Sequence, residues 1–67
     1  MKVQSGELTK RQREVARHAT HGMSNKQIAF VMNLSEGVVK QDLHRVFKKL
    51  GIARRAMLIL RYAAPPN

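Results

Sequence analysis

Apolar residues recur at three- and four-residue spacings along most of this chain, which is the pattern of helices that bury one side. Thr9 and Ser24 each precede such a stretch and are followed three residues later by a glutamine, the pattern of a capping box. Ser35 precedes a third stretch and can accept a hydrogen bond from an amide of the first helical turn. The pattern therefore predicts one helix directly after each of these three residues.

The predicted helices also have recognisable ends. Gly22 and Gly51 follow the first and third helices and Asn33 follows the second, and all three residues accept the left-handed backbone that closes a helix. A fourth apolar stretch ends before Pro65 and Pro66, which cannot continue a helix. The predicted helices cover about residues 10–21, 25–32, 36–50 and 54–63.

The predicted fold class is all-α, with four helices, because no stretch alternates apolar and polar residues as a half-buried strand does. A chain of 67 residues is long enough for one small domain with a thin core. We expect this domain to cover residues 8–63, between a flexible N-terminus at 1–7 and a flexible tail at 64–67.

The third predicted helix has two unlike sides. Its apolar residues share one stripe that should face the core: Val39, Leu43, Val46, Phe47 and Leu50. The opposite side is polar and mostly basic: Gly37, Gln41, His44, Arg45 and Lys48. Lys40 lies on one shoulder between these sides, and Val38, Asp42 and Lys49 lie on the other. A short helix, a tight turn and a longer helix with a basic side are typical of a helix-turn-helix.

The composition favours a polyanionic partner. Lysine and arginine together number 13 against 4 aspartates and glutamates, which gives a formal charge of +9. Nucleic acid fits this charge, and so does an anionic membrane surface. A cationic membrane helix would not need three N-caps, so the caps favour double-stranded DNA, although scattered basic residues can also be only a solvated surface.

Other chemistry has little support in the sequence. The absence of cysteine excludes a disulfide framework and zinc-finger spacing. His18, His21 and His44 lack a carboxylate or thiolate to complete a metal site, and Glu14 is a lone carboxylate without a nucleophile and base beside it. No apolar run reaches the ~20 residues of a membrane span, and the N-terminus does not look like a signal peptide. We therefore expect a cytoplasmic protein that is not an enzyme and holds no metal or cofactor.

Several segments agree in order and spacing with one known family. They are Leu8-Thr9-Lys10-Arg11 through Glu14-Val15, Gly22 through Ala29, Leu34-Ser35, Lys40, and Lys49-Leu50-Gly51. Together they resemble the LuxR-type (GerE-like) helix-turn-helix domain over about residues 8 to 63. The resemblance implies a bacterial four-helix DNA-binding domain whose third helix enters the major groove and whose fourth helix dimerises on a roughly palindromic site. A weaker resemblance, to the DNA-binding region of sigma factors, would imply contact with RNA polymerase.

The resemblance also assigns roles to individual residues. Lys40 matches the family's lysine near the start of the recognition helix, and Gln41 and His44 occupy the neighbouring variable positions that set sequence preference. Glutamine can bridge adenine N6 and N7, and lysine favours guanine O6 and N7. We assign DNA phosphate contacts to three further cations: Lys26, Arg45 and Lys48.

Two residues on one shoulder of the third helix depart from the family. The family usually has threonine where this chain has Val38, and often histidine where it has Asp42. Val38 cannot donate to a phosphate, and Asp42 would repel one. Asp42 could pair with Arg45 or Lys26 and so hold a contact residue in place, or this shoulder could no longer touch DNA.

The fourth predicted helix is apolar on nearly all sides, which is more than one neighbouring core can bury. We expect the excess to form a homodimer interface with these members: Met57, Leu58, Leu60, Arg61 and Tyr62. Four residues of this helix could instead complete the core of a monomer: Met57, Leu58, Leu60 and Tyr62.

The leading hypothesis is a sequence-specific transcription regulator that binds double-stranded DNA as a homodimer in the bacterial cytoplasm, at the nucleoid. The alternative is a protein with only a DNA-binding domain that pairs through its fourth helix with a full-length LuxR-type regulator and modulates it. RNA polymerase is a further candidate partner.

Overall fold

The structure is a computed structural model that describes the backbone of residues 8–62 and the side chains of residues 8–60. Four helices make up this part of the chain: α1 (Lys10–Thr20), α2 (Asn25–Met32), α3 (Glu36–Leu50) and α4 (Arg55–Tyr62). No residue within 8–62 lies in a strand, and the predicted all-α fold class is confirmed. None of the described helices is long and apolar enough to cross a bilayer. The termini predicted to be flexible, 1–7 and 64–67, lie outside the described residues.

The helix boundaries differ from the prediction by one residue at two ends. α1 ends at Thr20 rather than at residue 21, because the His21 amide donates to the His18 carbonyl at 3.0 Å, only three residues back. Gly22 follows with φ +82° and turns the chain away. α4 begins at Arg55 rather than at residue 54, and the predicted last residue of that helix, Ala63, lies outside the described residues.

Side-chain caps fix the starts of the first three helices. The Thr9 hydroxyl accepts from the Gln12 amide at 3.1 Å, and the Gln12 side chain accepts from the Thr9 amide at 3.0 Å. Ser24 and Gln27 repeat this reciprocal pair at the start of α2, at 3.1 and 2.9 Å. The Ser35 hydroxyl accepts from an amide in the first turn of α3 at 3.1 Å. The three predicted caps are therefore confirmed.

The core receives side chains from all four helices. Its largest fully buried members are Val15, Ile28, Val39, Val46 and Leu58. α3 packs against both α1 and α2, and α4 packs against α1. Leu58 had been predicted in a dimer interface, and this placement is corrected: the side of α4 that carries Leu58 is covered within a single chain.

Two long-range contacts fasten helix ends to their neighbours. Lys49 Nζ donates to Gln12 Oε1 at 2.9 Å, which connects the C-terminal part of α3 to the capping glutamine of α1. Arg55 Nη1 donates to Asn25 Oδ1 at 2.8 Å, and Arg55 Nη2 donates to the Met23 carbonyl at 2.6 Å. The start of α4 is thereby tied to the start of α2.

Candidate nucleic-acid interface

A three-residue turn sets the position of α3 relative to α2. Asn33 adopts the left-handed conformation, with φ +58° and ψ +45°, and the Leu34 amide then donates to the Ala29 carbonyl at 2.8 Å. The Leu34 side chain packs against the core, and Ser35 caps α3. Backbone bonds and burial therefore hold the turn together, so that α2 supports α3 as in a helix-turn-helix.

The outer side of α3 is polar and open to solvent. The three residues predicted to read bases, Lys40, Gln41 and His44, are all exposed and line one shallow depression together with Arg45. Lys48 is exposed about one turn further along the helix. The structure thus brings the predicted base-reading residues and two of the predicted phosphate contacts onto one side of one helix.

Lys26, the remaining predicted phosphate contact, lies on α2. Its side chain is exposed, but it lines a different depression, which it shares with Phe30 and Glu36 among others. The structure therefore does not place Lys26 directly beside the residues of α3 that are predicted to read bases.

The cations of this outer side are not neutralised by carboxylates. Among the side chains of residues 8–60, ion pairs join only Arg11 to Asp42 and Arg17 to Glu14. None of the predicted DNA contacts takes part in either pair. A phosphate that approaches α3 therefore need not displace a carboxylate from these cations.

Glu14 is an exposed surface carboxylate. Arg17 Nη2 donates to Glu14 Oε1 at 2.8 Å, and this hydrogen bond, together with the arginine's charge, lowers the pKa of Glu14 below its ordinary value of 4.5. Within the described part of the chain, no three histidine, cysteine, aspartate or glutamate residues are grouped so that they could hold a metal ion. The Glu14 carboxylate makes a surface contact within α1.

Asp42 differs from its predicted environment. Only 3% of the residue is exposed, and its carboxylate receives two hydrogen bonds from Arg11 of α1: Nε to Oδ2 at 2.8 Å and Nη2 to Oδ1 at 3.0 Å. The predicted pairing with Arg45 or Lys26 is therefore wrong, because this shoulder of α3 faces α1. The spacing of residues along a helix suggests ion-pair partners only on that helix or on the helix next to it in sequence. Arg11 precedes Asp42 by 31 residues, so the sequence did not indicate this pair.

The outer side of α4 is apolar. Met57, Ile59 and Leu60 are 42%, 37% and 73% exposed, respectively. Met57 and Leu60 are thus accessible members of the predicted dimer interface, and Ile59 is an accessible neighbour that the sequence analysis did not include. The side chains of Arg61 and Tyr62, the other two predicted members, lie outside the described residues.

A second exposed apolar surface, which was not predicted, lies on α2. Phe30 is 86% exposed and Val31 is 53% exposed. The preceding two residues, Ile28 and Ala29, are the buried residues of this short helix. Successive residues are rotated by about 100° around a helix axis, so the two that follow must turn outward. The outward position of Phe30 and Val31 could therefore have been predicted from the helical period.

Three relatives and one family model place this arrangement among known proteins. The model described as "Bacterial regulatory proteins, luxR family" matches residues 6–62. The nitrate/nitrite response regulator protein NarP of Escherichia coli (strain K12) is 42% identical over 48 residues, which are 72% of this chain and 22% of that protein. The glycerol metabolism activator of Pseudomonas putida is 38% identical over 53 residues, or 79% of this chain and 24% of that protein.

The third relative is the probable HTH-type transcriptional regulator GfsR of Streptomyces halstedii. It is 32% identical over 60 residues, which are 90% of this chain and 25% of that protein. The chain therefore spans a quarter or less of the length of each of these three relatives.

Proposed function

Since this chain belongs to the luxR family of bacterial regulatory proteins, and is on that ground a DNA-binding transcription regulator, we propose that it reads duplex DNA with α3 in the major groove and dimerises through α4. One observation carries the first part of the proposal. The outer side of α3 presents exposed polar and cationic side chains that no carboxylate neutralises within the described residues.

The dimensions and the chemistry of α3 suit the major groove. B-form DNA has a major groove about 12 Å wide, which admits one helix with its side chains. Lys40, Gln41 and His44 line a common depression and offer donors and acceptors to base edges. Lys40 can donate to guanine O6 and N7, and Gln41 can pair with adenine N6 and N7.

Phosphate contacts fix the orientation of such a helix in the groove. Arg45 and Lys48 flank the base-reading residues on α3, and Lys26 extends the charge onto α2. Each phosphate that they neutralise releases condensed counterions, which makes affinity fall with salt. In this proposal the three cations supply affinity and fix the position of α3 on the duplex, and the base-reading residues supply sequence preference.

The dimer part of the proposal rests on the outer side of α4. Met57, Ile59 and Leu60 expose apolar surface around the outer half of a helix whose opposite side is anchored in the core by Leu58. A second copy that covers this surface would form a two-fold dimer. Its two α3 helices would read half-sites one helical turn apart, roughly 34 Å from centre to centre.

The same apolar surface supports a second candidate function. A longer luxR-family regulator with a comparable fourth helix could cover Met57 and Leu60 in place of a second copy of this chain. The protein would then modulate that regulator by forming a mixed dimer. Size-exclusion chromatography of the protein alone and mixed with such a regulator separates the two candidates, since only the second needs the mixture to form a complex.

Selection of bound duplexes from a random pool tests the DNA-binding proposal and gives the preferred sequence. The selected duplex is then titrated with the wild-type protein and with two charge-matched variants. We expect Lys40→Ala to weaken binding about tenfold, the loss of one good base contact, and to relax the preference at one base position. Arg13→Ala removes the same charge from a groove on α1 and should leave the preference unchanged. Equal effects of both variants would contradict the role of α3.

A further inference from the structure

The ion pair between Arg11 and Asp42 lies on the shoulder of α3 that adjoins the proposed DNA-reading side. Asp42 is nearly fully buried, whereas the Arg11 side chain is 53% exposed. Arg45, on the outer side of α3, follows Asp42 by three residues and so adjoins this shoulder. The pair therefore combines a hidden anion with an accessible cation at the edge of the surface that would approach DNA.

The geometry of the pair makes this shoulder present a guanidinium to an approaching phosphate instead of a carboxylate. Both Asp42 oxygens accept from Arg11, through Nε at 2.8 Å and Nη2 at 3.0 Å. Within the described part of the chain, the third nitrogen, Nη1, donates to no protein acceptor. A carboxylate that alone would repel DNA is thus covered by a guanidinium that still has donors to offer.

We propose that Arg11 contacts a DNA phosphate beside α3 and that Asp42 is the positioning residue that holds the guanidinium for this contact. The inference rests on the proposed function and names a contact that the chain makes from α1. Val38, one turn before Asp42 on the same shoulder, has no side-chain donor, and Lys49, further along that shoulder, already donates to Gln12. Arg11 therefore supplies a donor beside Val38 and Asp42. A two-point contact with Asp42 fixes the planar guanidinium in advance and leaves less side-chain freedom to lose when DNA binds.

The salt dependence of duplex binding distinguishes this role from a purely structural one. The double variant Arg11→Gln, Asp42→Asn removes one positive and one negative charge, so the net charge stays at +9 and no charge is left buried without a partner. Loss of one phosphate contact should reduce the slope of log K against log salt by about 0.9. An unchanged slope in a variant with wild-type helicity would overturn the inference.

The single variant Asp42→Asn tests the positioning role of the aspartate. If Asp42 only repelled DNA, its neutralisation would tighten binding. If it positions Arg11, the variant loses the two-point charged contact and should bind several-fold more weakly, as expected when a charge-assisted pair is lost. Tighter binding would therefore refute the positioning role.

The controls separate failure of the inference from failure of the proposed function. Arg13→Ala, which removes a cation from the groove on α1 that Leu8 and Thr20 also line, should keep the wild-type slope. Wild-type protein that showed no saturable binding to any duplex at low salt would contradict the proposed function itself. Wild-type binding combined with a wild-type slope in the double variant would contradict only the role of Arg11.

Discussion

At the scale of single residues, the two ion pairs of the described chain differ in burial and therefore in how much they contribute to the free energy of unfolding. Arg11→Ala leaves the buried Asp42 carboxylate without a partner, and we expect the free energy of unfolding to fall by about 1–3 kcal/mol. This range lies below that of a fully buried pair, because solvent already reaches half of Arg11. Urea unfolding followed by circular dichroism measures the change.

Arg17→Ala is the matched control for this prediction. It breaks the pair with Glu14, whose carboxylate is exposed, so solvent replaces most of the lost interaction and the free energy of unfolding should fall by much less than in Arg11→Ala. A larger loss of stability from Arg17→Ala than from Arg11→Ala would show that burial does not determine how much each pair contributes to stability.

The pKa of Glu14 gives a second prediction at this scale. Because Arg17 lowers that pKa in the folded protein, the pair stabilises the fold above the ordinary value of 4.5, and the contribution is lost as pH falls through the lowered folded-state pKa. Arg17→Ala should raise the pKa of Glu14 toward 4.5. NMR titration of the Glu14 side-chain carboxyl measures the shift, and an unchanged pKa would mean that the hydrogen bond does not form in solution.

At the scale of the helices, one glycine inside α3 and one at its end should respond oppositely to the same change. Gly37 lies inside α3, and a Cβ there would meet only the Ser35 hydroxyl, at 3.9 Å. Gly37→Ala should therefore stabilise the protein by about 0.5–1 kcal/mol. Gly51 closes α3 with φ +69°, so Gly51→Ala should destabilise it by about 1–2 kcal/mol through backbone strain. Paired urea titrations measure both changes, and equal signs would contradict the assignment of the helix end.

Local features of the helices could be predicted from the sequence, because their causes lie within a few residues. The Thr9 and Ser24 capping boxes and the left-handed Asn33 depend only on neighbouring side chains and backbone. The side of α3 that carries Lys40 and His44 also follows directly from helical periodicity. These features account for the helix-turn-helix and for most of the candidate interface.

Contacts between distant segments could not be predicted in the same way. The partner of Asp42 depends on which side of α3 meets α1, and the sequence offered Arg45 and Lys26 as nearer candidates. α4 is apolar on nearly all sides, so its pattern could not distinguish the buried Leu58 from the exposed Leu60. The packing of α4 against α1 decides that question.

At the scale of the whole molecule, the proposed dimer makes stability depend on protein concentration. If two copies cover each other's Met57 and Leu60, the midpoint of thermal unfolding should rise with concentration, because association favours the folded state. Leu60→Gln should abolish that dependence. Phe30→Gln exchanges an equally apolar and even more exposed residue on α2 and should preserve it. Thermal unfolding at several concentrations measures the effect, and a concentration-independent wild-type midpoint would contradict the dimer.

The contact of Arg55 with Asn25 and the Met23 carbonyl has a consequence for how the two surfaces of the molecule communicate. α4 has only eight residues in the described chain, too few to form a stable helix alone in water. Its helical form therefore depends on the surfaces that pack against it. We therefore expect a partner bound on α4 to stabilise the start of α2 as well, because Arg55 joins the two helices, and α2 in turn supports α3. By thermodynamic reciprocity, DNA bound to α3 should then raise the affinity of α4 for its partner, although the two ligands do not touch each other.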